Sequence, residues 1–387
     1  MDQVLLRKNE EHRILSGHCW VFSNEIKSVS GSPTSGDTVE VLRYDGKFIG
    51  VGFYNLHSLI AVRLFSRHKE VVSFDFFKRR IEAAHRLRSL LFPSSHLHRL
   101  VHGESDFLPG LIIDRYGEQF SVQTLSTGMD KHLSTIADVL EDMYSPSAIV
   151  ERNDVSVRAL EHLPERRQTI RGNPVPFVIG ENEISYRVDL LEGQKTGLFL
   201  DQRENHFRIR RYCPNAEVLD CFCNAGGFAL NAWKAGAKRV AAIDAGESAI
   251  TASRHNSELN GATLDLMRDD VFDQLEKLAA EKRTFDTVIL DPPAFAKSKK
   301  TIAKALKGYR HLNTLALKVL RTGGILATAS CSHHIGKDEF LDTIDASARK
   351  VGRELQLLDF AGASADHPVL PAMPETGYLK FAVFRVE

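Results

Sequence analysis

Three aspartates in the second half of the chain each follow a short run of apolar residues. Asp244 lies 24 positions after Asp220, and Asp291 closes a third such run. In open α/β sheets, an acid about 20 residues beyond the first strand hydrogen-bonds a ribose hydroxyl. The spacing therefore predicts a ribose contact for Asp244 and places all three acids where such sheets bind ligands.

A glycine-containing turn follows the first of these aspartates. It reads Cys221-Phe222-Cys223-Asn224-Ala225-Gly226-Gly227-Phe228. Paired glycines at a strand-to-helix turn allow the backbone to approach a ligand closely. The pattern is not G-x-G-x-x-G, which disfavours a dinucleotide-dependent oxidoreductase. A turn that only packs a helix against the sheet is the alternative reading.

These residues belong to a region, about 172–387, in which apolar strands alternate with longer helical segments. Such alternation predicts an α/β fold with an open parallel sheet. The predicted strands are 217–220, 240–244, 287–291, 324–329, 355–358 and 380–384.

Two smaller regions precede the sheet. Residues 1–68 read as short strands between turns and predict a small barrel-like β module. Residues 73–171 mix strands with a helical pattern from Phe74 to Leu91 and predict a small α+β domain. The three predicted domains are therefore 1–68, 73–171 and 172–387, which suits 387 residues at roughly 150 residues per domain.

Composition is that of a soluble globular protein, with 43% hydrophobic and 26% charged residues. No apolar run approaches the ~20 residues of a transmembrane helix, and the N-terminus is not a secretory signal. We therefore expect a cytoplasmic protein without a membrane partner. The 50 basic and 50 acidic residues cancel, so only local charge clusters bear on a nucleic-acid partner.

The five cysteines argue against a disulfide framework, because they are odd in number in a long chain. Cys331 lies close to His333 and His334. The usual four-ligand spacing is missing there, so no metal site is expected.

The turn after the predicted strand 287–291, Asp291-Pro292-Pro293-Ala294-Phe295, resembles motif IV of class I (Rossmann-like) methyltransferases that act on bases. The resemblance implies S-adenosylmethionine as cofactor. It also implies a proline-stiffened turn whose Pro292, Pro293 and Phe295 line the pocket between cofactor and target base. The antiparallel pair of terminal strands is typical of the same family. The alternative is that Pro293 merely ends a strand.

The segment 192–203 resembles motif X of that family, which folds over the methionine end of the cofactor. The resemblance implies that Lys195 and Arg203 pair with the cofactor carboxylate and that Phe199 forms an apolar wall. A polar helix start with solvated charges is the alternative. The cofactor-binding residues implied by both motifs and the strand ends are Lys195, Thr196, Phe199, Arg203, Asp220, Phe222, Asn224, Gly226, Asp244, Asp270 and Asp291.

Over essentially its whole length the chain resembles the RlmI group of bacterial 23S ribosomal RNA cytosine-C5 methyltransferases. Matching segments are 18–23, 104–117 and Asp366-His367-Pro368, together with the strand-end motifs. The resemblance implies a PUA-like RNA-binding domain, a central α+β domain and a class I methyltransferase domain. It implies 23S ribosomal RNA or a pre-ribosomal particle as partner. The oligomeric state stays open, with a homodimer among the alternatives.

Cys331 follows the predicted strand 324–329, between Ser330 and Ser332, where it would face the motif IV turn. Carbon 5 of a pyrimidine is a poor nucleophile until a thiolate adds to carbon 6. Cys331 is therefore the predicted nucleophile, with Asp291 as a second catalytic residue. A lone buried cysteine is more often a small hydrophobe. Rival functions are a uridine-C5 methyltransferase and an RNA-binding protein with an inactive methyltransferase fold.

The group that removes the C5 proton is left open. His367, beside Asp366, is a candidate because a histidine oriented by a carboxylate suits proton transfer near neutral pH. A structural turn before Pro368 is the alternative.

Reaching a base inside folded RNA requires it to leave its stack, and basic residues should then hold the neighbouring phosphates. Solvated helix faces have the same sequence pattern and are the alternative. One candidate cluster consists of Lys297, Lys299, Lys300, Lys304, Lys307, Tyr309 and Arg310. A second consists of Lys78, Arg79, Arg80, Arg86 and Arg88.

Overall fold

A computed structural model describes residues 1–193, 197–296 and 298–387. Contacts group them into two compact units. Unit one contains residues 1–179, 188–198 and 365–376, and unit two contains residues 180–187, 199–364 and 377–387. The first two predicted domains thus belong to one compact unit.

The first part of unit one is built around a six-stranded sheet. Its elements are β1 (Asp2–Leu6), α1 (His12–Leu15), β2 (Trp20–Phe22), β3 (Ile26–Ser30), β4 (Thr38–Leu42), β5 (Phe48–Tyr54) and β6 (Ile60–Ser66). The strand order is β2-β6-β5-β4-β1-β3. Val39, Val41 and Val62 are buried in its core, as β-branched side chains on one face of a pleated sheet should be.

The second part of unit one is a five-stranded sheet with helices. Its elements are α2 (Phe74–Leu91), β7 (Leu97–His102), β8 (Leu111–Tyr116), β9 (Gln119–Thr124), α3 (Thr127–Lys131), α4 (Leu133–Tyr144), β10 (Ala148–Arg152) and β11 (Arg167–Gly172). The strand order is β11-β10-β9-β8-β7. α2 has the predicted bounds and begins at Ser73, whose side chain accepts a hydrogen bond from Phe76 N.

The two sheets of unit one share a hydrophobic core. Phe53 and Phe65 from the first sheet pack in the same cluster as Phe76 and Ile113. The rings of Phe65 and Phe76 lie 5.2 Å apart. This shared core explains why the two predicted domains form one unit.

Two short strands, β12 (Phe177–Glu181) and β13 (Ile184–Val188), form a sheet of their own. The remaining elements are α5 (Arg203–Arg208), β14 (Glu217–Cys221), α6 (Gly227–Lys234), β15 (Arg239–Asp244), α7 (Glu247–Asn260), β16 (Asp265–Arg268), α8 (Val271–Ala280), β17 (Phe285–Leu290), α9 (Ile302–Lys318), β18 (Leu320–Ser330), α10 (Lys337–Lys350), β19 (Leu355–Ala361) and β20 (Lys380–Val386). None of the described helices is long and apolar enough to cross a membrane.

Unit two contains a seven-stranded sheet in the order β16-β15-β14-β17-β18-β20-β19. The first five strands are parallel, and β20 is antiparallel to both of its neighbours. The predicted α/β class is confirmed, including the terminal antiparallel pair. Cys221 pairs with both Ile243 and Leu290, so the carboxyl ends of β14, β15 and β17 lie along one edge.

Candidate active site

The turn after β14 has an unusual backbone. Phe222, Asn224 and Gly226 have φ angles of 66°, 48° and 85°, in the left-handed region. The N–H groups of Phe222 and Cys223 both donate to Ile243 O, which fixes the turn to β15. Non-glycine residues in this region cost of order 1–3 kcal/mol and concentrate at ligand sites. The turn is therefore shaped for close approach of a ligand at the predicted position.

Asp244 closes β15 and holds this turn. Its Oδ2 accepts a hydrogen bond from Asn224 N at 3.0 Å, and its Oδ1 accepts one from Gly246 N at 2.8 Å. A carboxylate oxygen has two acceptor sites. The carboxylate therefore keeps acceptor capacity for ribose hydroxyls at the end of β15.

Asp220 lies fully buried beneath the same turn. Its Oδ2 accepts a hydrogen bond from Ala229 N at 2.9 Å, which fixes the first turn of α6. Burial raises the pKa of Asp220 to about 8. Its Oδ1 is buried without a hydrogen-bond partner among the described residues. Buried polar atoms are normally satisfied, so this atom fits a site that a polar ligand completes.

Two other predicted cofactor contacts have partners within the protein. Asp270 is the N-cap of α8, and its Oδ1 accepts from Phe272 N at 2.8 Å. Arg203 is buried, and its Nη2 lies 2.8 Å from Glu181 Oε1. A cofactor carboxylate would have to share this guanidinium. Phe199 is half-buried, and the predicted contacts Lys195 and Thr196 lie outside the described residues.

The motif IV turn follows β17 and is held by side chains that the sequence did not indicate. Asp291 Oδ1 accepts from Gln202 Nε2 at 2.8 Å, and Gln202 Oε1 accepts from Asn205 Nδ2 at 2.7 Å. Pro292 is buried and Pro293 is exposed. These two hydrogen bonds, from Asn205 to Gln202 and from Gln202 to Asp291, therefore orient the carboxylate of the first residue of the turn.

Cys331 follows β18 and is partly exposed. Its Sγ lies 3.8 Å from Pro292 O, so the thiol faces the motif IV turn as predicted. None of the five cysteines, all of which lie among the described residues, forms a disulfide, and the other four are buried. Burial raises the pKa of Cys19 to about 11 and that of Cys213 to about 12. Cys331 is thus the cysteine with access for chemistry.

Tyr309, a predicted RNA contact, is fully buried in α9. Its hydroxyl lies 3.0 Å from Ser330 Oγ and 3.0 Å from Ser332 Oγ. Ser332 Oγ also accepts from Ala296 N at 3.2 Å. The substrate-contact prediction does not fit this position, because the ring has no surface to offer. Tyr309 instead fixes the backbone on both sides of Cys331.

Phe295 is half-buried in the motif IV turn. Its ring lies 4.6 Å from that of Tyr309. The predicted contacts Lys297 and the side chain of Lys299 lie outside the described part of the chain.

His367 belongs to unit one and is buried there. Its Nδ1 lies 2.9 Å from Asp366 Oδ1. Asp366 in turn accepts from Arg99 N at 2.9 Å and from Arg88 Nη2 at 2.8 Å. His367 is thus oriented by a carboxylate, as predicted, inside a hydrogen-bonded network of unit one.

The second basic cluster is largely neutralised. Lys78 pairs with Asp142, and Arg79 and Arg80 both pair with Glu70. Arg88 is fully buried and forms two hydrogen bonds with Asp106. The RNA-contact prediction for Arg88 therefore does not fit, because a buried paired guanidinium cannot reach a phosphate.

The first cluster differs. Lys300, just before α9, and Lys304 and Lys307, within its first turns, are all exposed. Within the described part of the chain they form no salt bridge. No group of three or more His, Cys, Asp or Glu side chains among the described residues is arranged to hold a metal ion.

Comparisons with known proteins match two family models to separate parts of the chain. Residues 4–67 match the family model of a PUA-like domain. Residues 156–385 match that of S-adenosylmethionine-dependent methyltransferases. The solved methyltransferase SMU.776, in complex with SAH, superposes with a TM-score of 0.87 at 21% identity over 100% of both chains. A methyltransferase from Streptococcus mutans gives a TM-score of 0.85, also at 21% identity over 100% of both chains.

The chain is an S-adenosylmethionine-dependent methyltransferase, because it matches the family model of these enzymes over residues 156–385. The strand order of its sheet and the acidic residues at the strand ends agree with this class. Ribosomal RNA large subunit methyltransferase I from Aeromonas salmonicida is 39% identical over 99% of this chain and 98% of its own. The protein of the same name from Vibrio cholerae is 38% identical over 97% of each chain. The chain belongs to the family of these ribosomal RNA large subunit methyltransferases I.

The predicted cofactor is confirmed by this membership, and the residues present fit it. Asp244 offers acceptors for a ribose, and Asp220 Oδ1 is a buried atom that lacks a partner among the described residues. Asp291 adds another carboxylate to the same edge of the sheet. A negative charge there attracts the positively charged sulfonium group of the cofactor. When bound, the cofactor supplies an electrophilic methyl group.

Proposed function

We propose that this chain forms 5-methylcytosine in 23S ribosomal RNA, in the cytoplasm, through a covalent bond between Cys331 and carbon 6 of the base. The observation that carries the proposal is the position of Cys331. It is the partly exposed cysteine, and its Sγ lies 3.8 Å from Pro292 O in the motif IV turn. The names of the curated relatives support large-subunit ribosomal RNA as the substrate.

In this mechanism the Cys331 thiolate adds to carbon 6, and the electron pair of the 5,6 double bond moves to make carbon 5 nucleophilic. Carbon 5 then accepts the methyl group. Loss of the C5 proton to a base returns that electron pair, and the bond from carbon 6 to sulfur breaks. Tyr309, Ser330 and Ser332 hold the strand end on which the sulfur sits.

Asp291 supplies the preference for cytosine over uridine. A carboxylate accepts a hydrogen bond from the exocyclic amine of cytosine, whereas the uridine oxygen at that position repels it. Gln202 holds Asp291 Oδ1 at 2.8 Å, so the carboxylate has a fixed direction. Mass spectrometry of the modified nucleotide tests this preference, because a uridine-C5 methyltransferase would form 5-methyluridine instead.

The test is covalent trapping. RNA with 5-fluorocytosine at the target should trap the wild-type enzyme, since fluorine cannot leave as a proton does. Cys331→Ala should bind cofactor and RNA, transfer no methyl group and form no adduct. Cys213→Ala is the matched control, because Cys213 is buried away from solvent, and it should retain trapping. Turnover by Cys331→Ala, or an adduct mapped to another residue, would exclude the mechanism.

A further inference from the structure

Lys380 is a buried lysine at the start of β20, and the mechanism above gives it no part. It is 7% exposed. Its Nζ donates to Ser332 O at 2.7 Å and to Tyr378 O at 2.7 Å. In the sheet, Lys380 pairs with Ser330. The ammonium is therefore bonded to the residue after Cys331, while its backbone pairs with the residue before it.

A buried ammonium is costly unless an anion compensates its charge. Lysine is rarely buried in the absence of such a partner. Both hydrogen-bond acceptors of Lys380 are neutral carbonyl groups, and within the described part of the chain it forms no ion pair with a carboxylate. An ammonium has three N–H donors, so one remains beyond these two. The arrangement calls for a negative charge beside Nζ.

The thiolate of Cys331 is the group that can provide this charge. Burial lowers the pKa of Lys380 to about 8, and the charge of Cys331 acts in the opposite direction. The geometry and the electrostatics agree: Nζ is bonded to the carbonyl group of the residue that follows Cys331, and a negative charge on Cys331 favours the ammonium form of Lys380.

Other titratable groups surround Cys331. Asp291 directly precedes Pro292, whose carbonyl oxygen lies 3.8 Å from Cys331 Sγ, and a nearby negative charge disfavours a thiolate. Tyr309 contacts Ser330 and Ser332 from α9. His333 is exposed, with its ring 5.0 Å from that of Tyr378 on the β20 side. Among the described neighbours of Cys331, Lys380 and His333 are the groups able to carry positive charge.

We infer that Lys380 is a positioning residue that holds Cys331 as a thiolate by placing an ammonium beside its sulfur. The thiol proton leaves to solvent and Lys380 stays protonated, so the lysine takes up no proton in this step. The catalytic value of the pair rests on the proposed function, whereas the thiolate can be measured in the absence of RNA.

The experiment is the pH profile of Cys331 alkylation by iodoacetamide in the full-length protein, followed by mass spectrometry of the Cys331 peptide. Wild type should show a midpoint below the value of about 8.5 for a free cysteine. Lys380→Gln, which keeps hydrogen-bond donors but no charge, should raise the midpoint by at least about one pH unit, or about 1.4 kcal/mol. Lys380→Arg should stay near wild type, and His333→Gln should as well.

A wild-type midpoint at or above 8.5, or an unchanged midpoint in Lys380→Gln, would overturn the inference. The wild-type measurement stands even if Lys380→Gln does not fold. Turnover adds a second readout, because raising the pH should partly restore the activity of Lys380→Gln, whereas a purely structural loss would not respond. An active Cys331→Ala would refute the proposed function and leave this alkylation shift intact, so the two failures are distinguishable.

Discussion

Asp244 has two roles in the structure, and together they predict the effect of its substitution on cofactor binding. It accepts hydrogen bonds from Asn224 N and Gly246 N, so it shapes the turn after β14. Its position at the end of β15 also suits a ribose. The spacing in the sequence predicted the contact with a ribose. The hydrogen bonds that shape the turn could not be predicted, because they come from backbone N–H groups that no side-chain pattern reveals.

We expect Asp244→Ala to weaken S-adenosylmethionine binding about tenfold to a hundredfold, since a charge-assisted hydrogen bond contributes roughly 1.5–3 kcal/mol. Isothermal titration calorimetry measures this directly. Asp342→Ala, an exposed acid on α10, is the control and should bind as wild type does. Unchanged affinity in Asp244→Ala would remove it from the cofactor site.

Residues that act through buried contacts were beyond sequence reasoning. Gln202 lies 89 positions from Asp291, and Lys380 lies 48 positions from Ser332. Each is an ordinary polar residue until the fold brings it to its partner. Tyr309 illustrates the opposite error, because a tyrosine among lysines suggested a surface, whereas its helical position faces the core.

At the scale of elements, sequence periodicity located most of the parallel sheet. β15 ends at Asp244 and α2 spans Phe74–Leu91, both as predicted. β18 is longer than predicted, starting at Leu320, since its exposed Thr322 and Gly323 interrupt the apolar run. α3 ends at Lys131 and α4 begins at Leu133, so the two helices are divided at His132.

The packing of α5 against α6 gives an element-scale prediction at Gly227. A methyl group on Gly227 would lie 2.3 Å from Cε1 of His206, whose ring packs edge-on against Phe228. Such overpacking typically costs about 1–3 kcal/mol. Gly227→Ala should therefore lower the melting temperature and weaken cofactor binding, because α6 carries the cofactor turn.

Thermal unfolding and calorimetry test this prediction together. Gly180→Ala is the control, as a methyl group there meets nothing within 4 Å. Adding His206→Ala to Gly227→Ala should recover part of the loss, since it removes the clashing ring. Equal stability of wild type and Gly227→Ala would mean that α5 moves aside without cost.

For the whole molecule, a formal net charge of zero means that long-range attraction cannot account for RNA binding. Local charge must do so. The PUA-like residues 4–67 are the predicted RNA-binding module. Deleting them is a poor test, because Phe53 and Phe65 belong to the core that also contains Phe76. Point changes in exposed charge leave that core intact.

The lysines at the start of α9 permit such a test. Lys300, Lys304 and Lys307 are exposed and make no salt bridge within the described part of the chain, unlike Lys78 and its neighbours. Reversing all three to Glu should weaken RNA binding. It should also reduce the slope of log K against log salt by about 2, because each phosphate contact on single-stranded RNA contributes about 0.7.

The matched control reverses three exposed lysines elsewhere in unit two, Lys277, Lys282 and Lys318, and so changes the net charge equally. If binding depended on total charge, both triple variants would lose the same affinity. Binding through the α9 face instead predicts a large loss only for the first variant, with cofactor affinity unchanged in both. Fluorescence anisotropy across a salt series separates the two cases, and identical salt slopes for the two variants would rule out the α9 face.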